Sequence, residues 1–221
     1  MPGDDFFGAD RGRRLVMTRA ISIRASVDQV WPFVAQVGRG AGWYSFDWLD
    51  NGRKASARHP VSWIPAPWPG DATAIGYLRE VREGVSLAWW FDGGSFLRSR
   101  ARSATCLELL EEEGSTRLVS RISADAHGFT AVPALLLFRV IDSIMAVRQL
   151  IGLRERSEAS ADILARSRES ETGARDQYQL YEILFAEGGA AGVPGREEAA
   201  RWRRKAIEAG VLPEGVAPSP P

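Results

Sequence analysis

The sequence predicts an α+β fold in which an antiparallel sheet is closed by one long helix. Two observations carry that prediction. From about residue 74 to residue 126, strand signals follow one another with turns between them and no helical period, which specifies a meander rather than βαβ units. Val132 to about Arg166 is then apolar at helical spacing and long enough to lie across such a sheet. A helix laid over a sheet leaves a space between the layers, so a ligand cavity is expected there.

The elements follow in order. MPGDDFFGADRGRR, residues 1–14, is acidic and then basic, and reads as an unordered arm. LVMTRAISIRA alternates from Ala20 to Arg24 and marks the first strand. In SVDQVWPFVAQV, Ser26 and Gln29 have capping-box spacing, and Val27, Val30, Val34 and Val37 share one helical face. Pro32 removes a backbone donor in the second turn, so a bend is expected. Gly38, Gly40 and Gly42 stop this helix.

AGWYSFDWLDN, residues 41–51, then packs Trp43, Tyr44, Phe46 and Trp48 together and is expected to form a short helix. Four aromatics so close cannot all point one way. Some are expected to plug the core below the first helix, and others to reach the space over Trp89 and Phe91. PAPWPG, at 65–70, has too many prolines for a regular element.

YLREVRE, VSLAWWF, residues 101–111 and TRLVSRISADA are the predicted strands, with turns at Glu83–Gly84, Asp92–Gly93–Gly94 and EEGS. Val85, Leu87, Trp89 and Phe91 fall on one face. Pro133 suits the first turn of the long helix. Phe138, Ile141 and Met145 lie at helical spacing along it, as packing face or pocket wall, and methionine suits an adaptable wall. The domain so defined spans residues 15–166. A polar linker at 167–175, helical stretches near 176–187 and 195–209, and an unordered tail at 211–221 complete the chain.

Composition narrows the function. Twenty-eight basic and 28 acidic residues give no net charge across 221 residues, so the basic excess typical of nucleic-acid binders is missing. Arg139, Asp142 and Arg148 interrupt the most apolar run, residues 132–153, which argues against a membrane crossing. No signal peptide is read at the N-terminus, and Cys106 is the single cysteine, so a cytoplasmic location is expected.

Catalytic patterns are scarce. His59 and His127 stand apart, without HExxH or paired cysteines, and read as surface or loop residues; no metal and no cofactor is expected. GxSxG is absent. The glycines at 38, 40 and 42 follow a helix rather than a strand, so they are no dinucleotide loop. Asp47 and Asp50 form either a solvated helix face or a general-base pair. Arg98, Arg100 and Arg102 alternate as either a solvated outer face or a cationic rim for a carboxylate or phosphate.

SVDQVWPFVAQVG with GWYSFDWLDN, and later TRLVSR before the long helix, resembles the SRPBCC superfamily of START-like, plant pathogenesis-related and polyketide cyclase/aromatase proteins. The resemblance spans roughly residues 15–160. It implies a helix-grip fold, a curved antiparallel sheet wrapped around a long C-terminal helix, enclosing an apolar pocket. No catalytic residue of that family matches here. QLYEILFAEGGAAGVPGREEAARWRRKAIEAG resembles one Sel1-type helical repeat over 176–210, with GGAAG where the repeat usually has a shorter turn. A lone repeat needs a surface to dock on, its own domain or a protein partner.

The expected function is binding of a small hydrophobic molecule, lipid or polyketide-like, without catalysis. Its expected lining is Trp43, Tyr44, Phe46, Trp48, Trp89, Phe91, Phe138, Ile141 and Met145. Two alternatives stand beside it. One is a cyclase-like enzyme that folds a reactive chain in a shaped pocket, with Tyr44, Tyr77 or Asp47 as acid or base. The other is an interaction module using the C-terminal hairpin.

Overall fold

The computed structural model describes residues 4–7, 12–73, 76–96 and 99–169. The linker beyond residue 169, the hairpin expected at 176–210, the tail at 211–221 and Arg98 lie outside the described residues. Five strands, β1 (Arg13–Ile23), β2 (Tyr77–Arg82), β3 (Ser86–Phe96), β4 (Ser99–Glu112) and β5 (Ser115–His127), form one antiparallel sheet in the order β1-β5-β4-β3-β2. Helices α1 (Val27–Gln36) and α2 (Asp47–Asp50) separate β1 from β2, and α3 (Ala131–Glu169) follows β5. This is the predicted helix-grip arrangement, with α3 laid against β1 and β5.

Local chemistry explains most boundaries. Gln29 Oε1 accepts from the Ser26 N–H (3.0 Å) and from its hydroxyl (3.2 Å), which fixes the start of α1. The helix then runs unbroken through Pro32 to Gln36. Glu112 pairs with Ser115, so Glu113–Gly114 is the two-residue connection between β4 and β5.

One predicted turn is not a turn. β3 continues through Asp92–Gly93–Gly94, and the β3–β4 register slips between Phe91 and Gly94. Glycine's backbone freedom suits a bulge as well as a turn, and pairing with β4 extends on to Phe96 and Ser99. Residues 4–7 also depart from the unordered arm. They form a 3-10 turn whose Phe7 ring meets Trp90 edge-on at 5.0 Å, while Arg79 lies over both Phe6 (4.4 Å) and Trp90 (5.6 Å).

Both faces of the sheet are therefore covered in its middle. The face toward α3 carries Ile23, Leu87, Trp89, Leu107, Leu109 and Leu118, packed with Val30, Phe33 and Val34 of α1 and Leu150 and Leu153 of α3. The opposite face carries Trp90 and Ala104 under Phe7. Near its N-terminus α3 meets the sheet through small buried side chains. Ala131 and Ala134 of the helix and Ala124 and Ala126 of β5 allow a close approach of backbone to backbone.

Candidate ligand groove

The position of α3 decides what the sheet leaves open. Arg139 and Ser143 border a cleft of about 360 Å³ together with Leu15 to Arg19 of β1. Arg19 of β1 donates to Asp142 (2.9 Å) and to the Ser143 hydroxyl (2.8 Å), clamping the helix to this strand. Successive residues of a helix are about 100° apart, so Phe138 and Met145 lie on a different side of α3 from that cleft. Ile141 is 40% exposed.

The inner face of β3 and β4 is buried at Leu87, Trp89, Leu107 and Leu109, and its cover thins only toward Phe91, Ser103 and Thr105. Phe91 pairs with Ser103 and Trp89 with Thr105. Trp89 is packed in the core at 2% exposure, and its indole N–H has no hydrogen-bond partner. Phe91, Ser103 and Thr105 on the sheet and Phe138 and Met145 on α3 are half-buried, and none of the nine expected lining residues borders the cleft at β1.

Trp43, Tyr44 and Phe46 lie in the irregular segment after α1, and Trp48 in the short α2. The aromatic segment is a plug under the second half of α3. Gly42 has φ +111°, with the site of its missing Cβ 2.2 Å from Ser56 Oγ, and Tyr44 has φ +61°. These two left-handed positions send neighbouring rings in different directions. Tyr44 is 1% exposed, edge-on to Phe33 (6.5 Å) and under the Arg156 guanidinium (5.2 Å). Trp43 lies flat over Gly38, where any Cβ would clash, and its carbonyl accepts from Gln149 of α3 (3.0 Å). Phe46 is half-buried against Trp48, and Trp48 is 67% exposed.

The acid–base candidates are not gathered into a site. Burial drives the Tyr44 phenol well above its ordinary range, with Arg156 opposing weakly, so it stays protonated. Tyr77 is exposed on β2. Asp47 accepts from the Ser56 hydroxyl and Asp50 from the Ser45 hydroxyl, so both carboxylates organise the loop. Burial raises the Asp50 carboxyl, and the Ser45 hydrogen bond opposes it.

The arginine row also reads differently in three dimensions. Arg102 lies on the face of the sheet away from α3 and pairs with Asp125, which is 1% exposed. It is no rim for a ligand between α3 and the sheet. Arg100 is exposed on the same face. His59, expected at the surface, is buried, with Nδ1 2.9 Å from the Ser160 hydroxyl of α3. His127 is partly exposed beside Asp125. Among the described residues no three metal-ligating side chains come together.

A second cleft, about 400 Å³, lies between Gly38–Gly40 and the loop Ile64 to Thr73. Its lining is mixed, with Ile64 and Pro65 beside Arg39, Asp71 and Thr73; Arg39 is braced on Asp71 (2.6 Å), and none of the nine expected residues borders it. The sequence reading missed the Arg19–Asp142–Ser143 clamp. Its signal was present: an acid in an apolar helical run, and an arginine on the inward phase of β1.

No protein-family model matches the chain, and no curated protein matches it in sequence. Solved structures share its general outline. The di-domain ARO/CYC StfQ from the steffimycin biosynthetic pathway matches with TM-score 0.45 and 11% identity over 67% of this chain, which spans 52% of StfQ. Ara h 8.0201 matches with TM-score 0.45 and 10% identity, covering 66% of this chain and 99% of its own. The di-domain ARO/CYC BexL from the BE-7585A biosynthetic pathway matches with TM-score 0.43 and 14% identity, over 66% and 50%. These are distant likenesses of fold, and no activity passes from them to this chain. No helix among the described residues is long and apolar enough to cross a membrane.

Proposed function

We propose that the chain is an SRPBCC-type protein that binds a small hydrophobic molecule in an opening between α3 and the inner face of β3 and β4, without chemistry. One observation carries this reading. Phe91 and Thr105 on the inner sheet face and Phe138 and Met145 on α3 are half-buried beside a packed layer, which supports an opening between them. The Trp89 N–H in the adjoining core is a buried donor without an acceptor, which disfavours a purely alkyl ligand. A lipid-like or polyketide-like molecule with one carbonyl or hydroxyl oxygen satisfies both features.

The test is direct. Protein purified from its own host is measured by mass spectrometry under native and then denaturing conditions, and a reproducible small molecule is expected on denaturation. In parallel, a fluorescent fatty acid is titrated into wild type, Met145→Glu and Trp48→Ala. Met145→Glu is expected to abolish binding, and Trp48→Ala to leave it intact. Equal binding by wild type and Met145→Glu places any ligand elsewhere and overturns the reading.

A further inference from the structure

The two edges of the sheet are built differently. β2 has six residues, its register slips between Leu78 and Glu80, and the loop before it covers its outer side. Gly70 N–H donates to the Leu78 carbonyl (2.7 Å), Leu78 N–H donates to the Asp71 carbonyl (2.9 Å), and Ala72 bridges to Tyr77. Such an edge offers no template for another strand.

β1 has eleven residues and no proline, and it pairs with β5 without a slip from Arg13 to Ile23. Among the described residues no strand pairs with its outer edge. Arg19 does not guard that edge, because its side chain is folded back onto Asp142 and Ser143. The 360 Å³ cleft runs along the edge itself, since five consecutive β1 residues line it. Beside it α3 exposes Val132 (41%), Leu136 (58%), Val140 (58%) and Val147 (47%). All four lie within about 60° of Ser143 around the helix. A long, regular edge, with charges only at Arg13 and Arg14 at one end and Arg19 folded back, next to an apolar helix flank calls for a cover.

We propose that a second copy of this chain supplies it, with the two β1 strands antiparallel about a two-fold axis at Thr18. The sequence of β1 is self-complementary in that register. Leu15 meets Ile21, Val16 meets Ala20, Arg13 meets Ile23, and no arginine opposes another. A parallel pairing would set Arg13, Arg14 and Arg19 each against its own copy, which is repulsive. The face is large enough. Eleven strand residues extend roughly 37 Å, and the strand and helix layers together are roughly 20 Å deep. That matches the ~800 Å² per partner that stable complexes bury.

Sedimentation velocity of the full chain at micromolar concentration tests this, using wild type, Thr18→Lys, Thr18→Glu and an equimolar mixture of the two variants. Wild type is expected as a dimer. Each variant alone is expected as a monomer with an unchanged circular dichroism spectrum, because two like charges meet on the axis. The mixture is expected to re-form a dimer, and Leu110→Lys on β4 to stay dimeric. A monomeric wild type, variants as dimeric as wild type, or a mixture that stays monomeric would each overturn the proposal.

Discussion

Gln36 and Val61 bind each other twice inside the core. The Gln36 amide donates to the Val61 carbonyl and accepts from the Val61 N–H, both at 2.8 Å, with the glutamine 8% exposed. The side chain thus imitates one rung of a β-ladder and ties the irregular loop to α1. Gln36→Leu strands a buried backbone donor and acceptor, each costing about 1–3 kcal/mol. Urea unfolding is expected to show a lower midpoint with an unchanged slope. Gln36→Glu keeps the acceptor but sets a buried carboxylate oxygen against the Val61 carbonyl. At neutral pH it is expected to lose at least as much, and to recover as the carboxyl is protonated.

Arg102 and Asp125 form the second buried pair, with side-chain exposures of 10% and 1%. Removing one partner leaves a charge in the interior. Arg102→Leu is expected to cost about 3–5 kcal/mol, and the double variant Arg102→Leu, Asp125→Leu to recover much of it. A double-mutant cycle in urea measures the difference. Additive losses would show that the pair is not coupled.

Gly152 sets two effects against each other. Alanine in a helix is favoured over glycine by about 1 kcal/mol. Here, however, an added Cβ stands 2.2 Å from the Tyr44 carbonyl oxygen, and backbone has to move. Overpacking of that kind costs about 1–3 kcal/mol or more. Gly152→Ala is therefore expected to lower the melting temperature despite its better propensity.

The thiol of Cys106 reports on unfolding. Burial, with Glu108 and Glu80 adding, pushes it up to about 12, and the residue is 1% exposed. The native protein is expected to resist a thiol reagent at about pH 8 and to react fully in denaturant. Rapid labelling of the native chain would contradict the packing of β4 against its neighbours.

Asp142 makes stability fall as pH rises. Burial holds its carboxyl above the usual 3.8, with Arg19 opposing. The folded state binds this proton more tightly than the unfolded chain. Its contribution is present below the unfolded value and is lost as pH rises through the folded one. Asp142→Asn removes that slope and leaves Arg19 its bond to Ser143. Urea midpoints from about pH 3 to about pH 7 are expected to drop less for the variant than for wild type.

What the sequence made legible follows its periods. The strand alternation and the helical spacing of residues 132–166 were enough for the order of elements and the α+β class. Asp92–Gly93–Gly94 misled because the residues that make a turn also make a bulge, and only pairing with β4 distinguishes them. Arg102 could not be assigned because its partner lies 23 residues away, across a register that the chain alone does not print. Burial along the expected lining was legible only in part. Phe91, Phe138 and Met145 follow from periodicity, whereas the burial of Tyr44 and the exposure of Trp48 depend on two left-handed residues in an irregular segment.

Tyr44 carries a conflict of its own. Its backbone conformation is one that costs a side-chain-bearing residue about 1–2 kcal/mol, and its ring fills the space between α1 and α3. Glycine would relax the first demand and hollow out the second, so no single exchange serves both, a case of local frustration. The strain is offset only after Leu150, Leu153 and Arg156 arrive from the far end of the chain. The segment at 41–57 is therefore expected to consolidate late. Pulsed hydrogen exchange during refolding should find its amides protected after those of β4 and β5, and early protection would show that the aromatic plug organises α3 rather than the reverse.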